Sequence, residues 1–158
     1  MNDNEKLLDK AIDLYLTGLK GLDSFISEPS AEYSLSFEQY LILKKIVHNP
    51  KIKLMDIADE RGVTRSAISR QLRPLLNHNY IQQEADPEDR RRLFLISTIR
   101  GKQVEQHIGS LVLKRFSNWL DVYGKDRGAE LLDLLEDFNK EIVQANYSEE
   151  KKWLRWLR

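Results

Sequence analysis

A chain of 158 residues is the size of one ordinary domain, long enough to bury a core and short for two. Its 25 basic side chains balance its 25 acidic ones, so a surface for an anionic partner can come only from local segregation of charge. The absence of cysteine excludes disulfides, thiolate metal sites and thiol redox switches, and the absence of a signal-like leader or of ~20 consecutive apolar residues leads to the expectation of a soluble, cytoplasmic protein away from membranes.

Leu8, Ala11, Ile12, Tyr15, Leu19, Leu22, Phe25 and Ile26 recur at helical spacing and predict one long amphipathic helix ahead of Pro29, weakened by Gly18 and Gly21 at roughly 1 kcal/mol each. A second helix should open at Ser36, where Gln39 completes a capping box and Leu35 and Tyr40 are spaced as a hydrophobic staple, and close near His48 ahead of Asn49 and Pro50.

Leu54 to Arg73 reads LMDIADERGVTRSAISRQLR. Small Ala58 stands where two helices touch, Gly62 sits at the turn, Thr64 is placed to cap the next helix, and Ile68, Leu72, Leu75 and Leu76 form its apolar stripe. This spacing predicts a helix-turn-helix whose second helix runs from Thr64 to about Asn77. Arg65, Ser66, Ser69, Arg70 and Arg73 share its opposite face, and from Arg61 to Gln83 there is no acidic residue. In such a motif the N-terminal part of the second helix meets base edges, which assigns Arg65, Ser66 and Ser69 to base reading and Arg70 and Arg73 to phosphates. Pro74 predicts a bend, because it removes an intrahelical hydrogen bond, and Asn79 stands where a left-handed residue ends a helix.

Tyr80 to Glu84 and Leu93 to Ser97 predict the strands of a β-hairpin, joined by a charged turn from about Ala85 to Arg92. A hairpin with an arginine-rich tip beside a recognition helix is a wing, and arginine at such a tip suits a narrow minor groove. Asp86, Glu88 and Asp89 beside the arginines would orient them. Downstream, Val104, Ile108, Leu111, Val112, Phe116, Trp119 and Tyr123 predict a long helix ending near Gly124, and Leu131, Leu134, Leu135, Phe138 and Ile142 predict another. Glu149 to Arg158, with Trp153, Leu154, Trp156 and Leu157, would form a short amphipathic helix, expected to pack on a partner subunit. Stripes this long exceed what the small central unit can cover, so a second copy of the chain is expected.

Asp89-Arg90-Arg91, followed by Thr98 and Gly101, resembles the wing signature of MarR-family transcriptional regulators, and the resemblance extends to the helices on either side. Ser97 stands where the family favours leucine, Asn79 where it favours glycine, and Pro74 interrupts the recognition helix. The resemblance implies a homodimeric repressor of a palindromic operator, released by a small, aromatic or anionic ligand. It also implies minor-groove contact for Arg90 and a wing-structuring pairing for Asp89 and Arg91.

The expected fold is mainly α with a small β-hairpin wing: a winged helix-turn-helix at 36–98, between dimerisation helices at 1–35 and 99–158. Its expected partners are double-stranded DNA, a second copy and a small-molecule effector. No cofactor is expected: His48, His78 and His107 are far apart, and no nucleophile, phosphate loop or isolated carboxylate pair marks an enzyme. Two other readings stay open, a metal-dependent regulator and a winged-helix adaptor whose arginine face meets protein.

Overall fold

A computed structural model of the chain describes residues 2–19, 21, 23–87, 89 and 93–144. They group into two compact units, Met1–Arg115 and Phe116–Arg158. The first begins with helix α1, Asp3–Leu14, capped by Asn2, whose side chain accepts from the Glu5 N–H at 2.9 Å while its own N–H donates to the Glu5 carboxylate at 2.6 Å. The single long helix expected from Leu8 does not form. A π-helical turn occupies Tyr15–Leu19, and a separate helix α2, Ser24–Ala31, contains Pro29. The local causes are the poor helix propensity of Gly18 and Gly21 and the Thr17 hydroxyl, which donates back to the Asp13 carbonyl at 2.6 Å.

Helix α3, Phe37–His48, opens on the expected capping box: the Gln39 N–H donates to Ser36 Oγ at 3.2 Å and the Ser36 N–H donates to Gln39 Oε1 at 2.9 Å. The staple residues Leu35 and Tyr40 are both buried in the core. Strand β1, Ile52–Lys53, leads into α4, Leu54–Arg61, then α5, Arg65–Asn77, and the hairpin strands β2, Ile81–Ala85, and β3, Leu93–Ser97. The sheet is antiparallel with order β1-β3-β2, and the hairpin register runs from Ile81↔Ser97 to Ala85↔Leu93.

Two details differ from the sequence expectation. The first hairpin strand starts one residue late, because Tyr80 belongs to the motif that ends α5, and β1 adds a third strand by pairing Ile52 with Leu95. Helix α5 runs through Pro74 to Asn77, the extent expected of the recognition helix. The carbonyl left without an N–H partner belongs to exposed Arg70, where water can satisfy it.

The core of this unit takes Leu43 and Ile46 from α3, Ile57 and Ala58 from α4, Ile68, Leu72 and Leu75 from α5, Ile81 and Leu95 from the sheet, and Val104 and Ile108 from helix α6, Ile99–Tyr123. Each large aliphatic side chain fully buried there contributes about 1.5–3 kcal/mol. Leu76 packs half-buried against the same cluster. Between α6 and α2, Arg115 pairs with Glu28 at 2.7 Å and donates to the Ser24 carbonyl at 3.0 Å.

In the second unit, Phe116, Trp119 and Tyr123 stack along α6 with ring centroids 5.6 and 5.3 Å apart, and the Arg127 guanidinium lies 4.5 Å from the Tyr123 centroid. Gly124, at φ 98°, ends α6 where expected and leads into α7, Lys125–Phe138, and a π-helical turn at Asn139–Gln144. Expectations for Glu149 to Arg158 lie outside the described residues. The helices near the two ends leave apolar side chains in solvent: Leu7, Leu8 and Ile12 on α1, Leu132, Leu134, Leu135 and Phe138 on α7. Among the described residues, no helix is long and apolar enough to cross a membrane.

Candidate nucleic-acid interface

The two helices of the motif end in the same way. Gly62, at φ 62°, takes the left-handed conformation after α4; its N–H donates to Asp59 O at 3.2 Å and the Val63 N–H donates to Ala58 O at 3.0 Å. Asn79, at φ 57°, does the same after α5, with Asn79 N–H to Leu76 O at 3.0 Å and Tyr80 N–H to Leu75 O at 2.9 Å. Both are Schellman motifs, which satisfy carbonyls that a helix end would otherwise leave unpaired. The first sets the turn between the helices and the second turns the chain into the hairpin.

Thr64 caps α5, its hydroxyl accepting from the Ala67 N–H at 3.2 Å and standing 3.0 Å from the Ser66 hydroxyl. The buried stripe of Ile68, Leu72 and Leu75 faces the core, so the opposite face is turned outward. Thr64, Arg65, Ser66, Ser69, Arg70 and Arg73 together line one open, shallow depression along that face, and all six are exposed. No carboxylate lines it. Arg65, Arg70 and Arg73 form no ion pair with any described residue, whereas Arg61, the other arginine of this acid-free stretch, is ion-paired with Glu38 of α3 and is only 26% exposed. Arg61 is therefore part of the scaffold, and the free positive charge lies on α5.

The wing strands stand beside the N-terminal turn of α5. Arg65 shares a groove with Lys53 of β1, with Leu54 and Met55 at the start of α4, and with Gln83, Leu93 and Leu95 of the hairpin. Sequence reasoning missed Lys53 and Gln83, because a two-residue strand has no periodicity to read, and only the β1 pairing brings Lys53 here. Past the last ladder pair, Ala85↔Leu93, Asp86 is buried and Asp89 half-buried, and each has interaction partners. Arg90 and Arg91, assigned to the minor groove and to wing structure, lie outside the described residues.

The hairpin is tied to α6 through Thr98. Its hydroxyl shares a proton between the carbonyls of Asn79 and Tyr80, at 2.7 and 3.2 Å, and accepts from the Gly101 N–H at 2.9 Å. His48 Nδ1 lies 2.8 Å from the Lys44 carbonyl, His78 stacks on Tyr80, and His107 meets Tyr33 edge-on. Among the described residues no three metal-ligating side chains come together.

A helix-turn-helix with an exposed cationic face, followed by a hairpin wing, defines a winged-helix DNA-binding protein. The chain contains a MarR-family region: residues 35–93 match the model of that family. The chain is 23% identical over 107 residues to the HTH-type transcriptional regulator FarR of Neisseria gonorrhoeae, a match covering 68% of this chain and 73% of that protein. Its fold is similar to the transcriptional repressor CouR bound to a 23-mer DNA duplex, with TM-score 0.72, 24% identity, and 87% and 96% of the two chains covered. It is also similar to a Staphylococcus aureus MarR in complex with salicylate and kanamycin, with TM-score 0.70, 19% identity, and 89% and 93% covered.

Proposed function

We propose that the chain is a cytoplasmic repressor that binds a pseudo-palindromic operator as a homodimer and is released by a small aromatic or anionic ligand. The observation that carries this reading is the outward face of α5, where Arg65, Arg70 and Arg73 stand among exposed hydroxyls without an acidic partner among the described residues. Arg65, Ser66 and Ser69, on the first turns after the Thr64 cap, read base edges in the major groove, while Arg70 and Arg73 bind phosphates. Arg90 enters the minor groove, and Asp89 and Arg91 hold the wing in shape.

The segments 1–35 and 99–158 form the dimerisation region around the winged unit at 36–98. Supporting this, α1 buries none of its residues within the single chain and α7 buries only Gly128. Amphipathic helices of this length need a partner surface, and a second copy presents the matching stripe. The relatives support the two ligand classes, one being bound to duplex DNA and another to salicylate.

Selection of duplexes from a random pool, followed by sedimentation of the selected complex, tests the proposal. It predicts two symmetry-related half-sites with centres about one helical turn, ~10 base pairs, apart and two subunits per duplex. A pool without a motif, or one subunit per duplex, contradicts it.

A further inference from the structure

The first turn of α3 holds both helices of the DNA-binding motif. Gln39 has each end of its amide engaged: Oε1 accepts from the Ser36 N–H at 2.9 Å, and Nε2 donates to Oε1 of Gln71, midway along α5, at 3.3 Å. The preceding residue, Glu38, is ion-paired with Arg61, the last residue of α4. Further along α3, Lys45 pairs with Glu60 at 2.7 Å. Two consecutive residues of one capped turn are thus tied to the end of one motif helix and the middle of the other.

The turn is a rigid anchor, because its capping box is reciprocal and Leu35 and Tyr40 on either side of it are buried. Gln71 lies half-buried on the flank of α5, beside the buried stripe and away from the face that carries Arg65, Ser69 and Arg73. It is not placed to read a base itself. What it can fix is the roll of the helix. The stripe of Ile68, Leu72 and Leu75 is held by hydrophobic packing, which is non-directional, whereas a flanking hydrogen bond is directional. With side chains reaching about 6 Å from the helix axis, a roll of about 20° moves their tips by about 2 Å, more than the ~0.5 Å that a preorganised contact tolerates.

We propose that Gln39 and Gln71 are positioning residues for sequence readout: their hydrogen bond sets the roll of α5, so discrimination between DNA sequences depends on it while general DNA affinity does not. The proposal rests on the sequence-specific binding proposed above. General affinity comes from charge on arginines and tolerates a small roll; hydrogen bonds to base edges do not.

The test uses Gln71→Met, which keeps side-chain length and the α3 capping box but removes the acceptor. Binding is measured to a duplex selected from random sequence and to a scrambled one, across a salt series. The expected result is an about fivefold fall in the ratio of the two affinities, equivalent to about 1 kcal/mol, with scrambled-DNA affinity and its salt slope unchanged. Gln71→Glu, which still accepts from Gln39, should keep the ratio while its added charge weakens both duplexes alike. An unchanged ratio in Gln71→Met, or loss of the ratio in both variants, overturns the proposal. A wild-type protein that prefers no duplex would instead refute sequence-specific binding. Amide exchange along α5 without DNA then decides the tether: faster exchange in Gln71→Met supports it and equal exchange overturns it.

Discussion

Gly101 on α6 lies so close to the backbone of Tyr80 that a Cβ there would overlap the Tyr80 carbonyl oxygen and stand 2.8 Å from its carbonyl carbon. The same carbonyl accepts from the Thr98 N–H at 3.0 Å, so the start of α6 and the exit from α5 are locked backbone to backbone. A clash with main chain cannot be relieved by a rotamer change. Gly101→Ala should therefore destabilise the fold by about 2–3 kcal/mol, seen as a lower urea midpoint with an unchanged m-value. A midpoint within error of wild type would mean that the two elements separate easily.

The paired Schellman motifs make a contrasting prediction. Gly62→Ala forces a side chain into the left-handed region at φ 62° and should cost about 1–2 kcal/mol. Asn79→Gly, at φ 57°, should stay within about 0.5 kcal/mol of wild type, since glycine adopts that conformation freely. Thermal unfolding of both variants checks the pair.

Those two positions also show what was legible in sequence. Gly62, Asn79, Thr64 and the Ser36–Gln39 box act through contacts within a few residues, and their spacing fixed both the motif and its outward face. Long-range pairings left no such trace. Arg61 opens the acid-free stretch of the sequence, and nothing local reveals Glu38, twenty-three residues earlier, as its partner. Strand β1 was invisible for the same reason, as its two residues acquire strand geometry only from β3. The break after α1 was half-read: Gly18 and Gly21 signalled weakness, while the Thr17 back-bond to Asp13 that accompanies the π-helical turn did not.

Tyr40 gives a pH prediction. Burial in the core, and secondarily the negative charge of Glu105, push its hydroxyl up to about 12 from the ordinary 10.0. The unfolded chain ionises this group first as pH rises. Its contribution to stability is therefore fully present below pH 10 and is lost between about 10 and 12. Urea midpoints measured across that window should fall less steeply in Tyr40→Phe than in wild type; parallel profiles would assign the alkaline loss to other groups.

Ile12 tests the dimer. It is 47% exposed on α1, a helix that buries none of its residues within the single chain, so Ile12→Asp should leave an isolated subunit folded. Placed against a second copy, the same carboxylate would be desolvated without a partner. Sedimentation equilibrium should show a shift from dimer toward monomer with unchanged helical content by circular dichroism. A distribution identical to wild type would remove α1 from the interface.

Sequence-specific DNA binding through the exposed face of α5 is tested most directly by fluorescence anisotropy on wild type and Arg65→Ala, with a selected and a scrambled duplex at several salt concentrations. The expected result is a loss of about 1–3 kcal/mol on the selected duplex and little change on the scrambled one, as a base contact requires. An equal loss on both duplexes, or a wild-type protein that does not distinguish them, would contradict it.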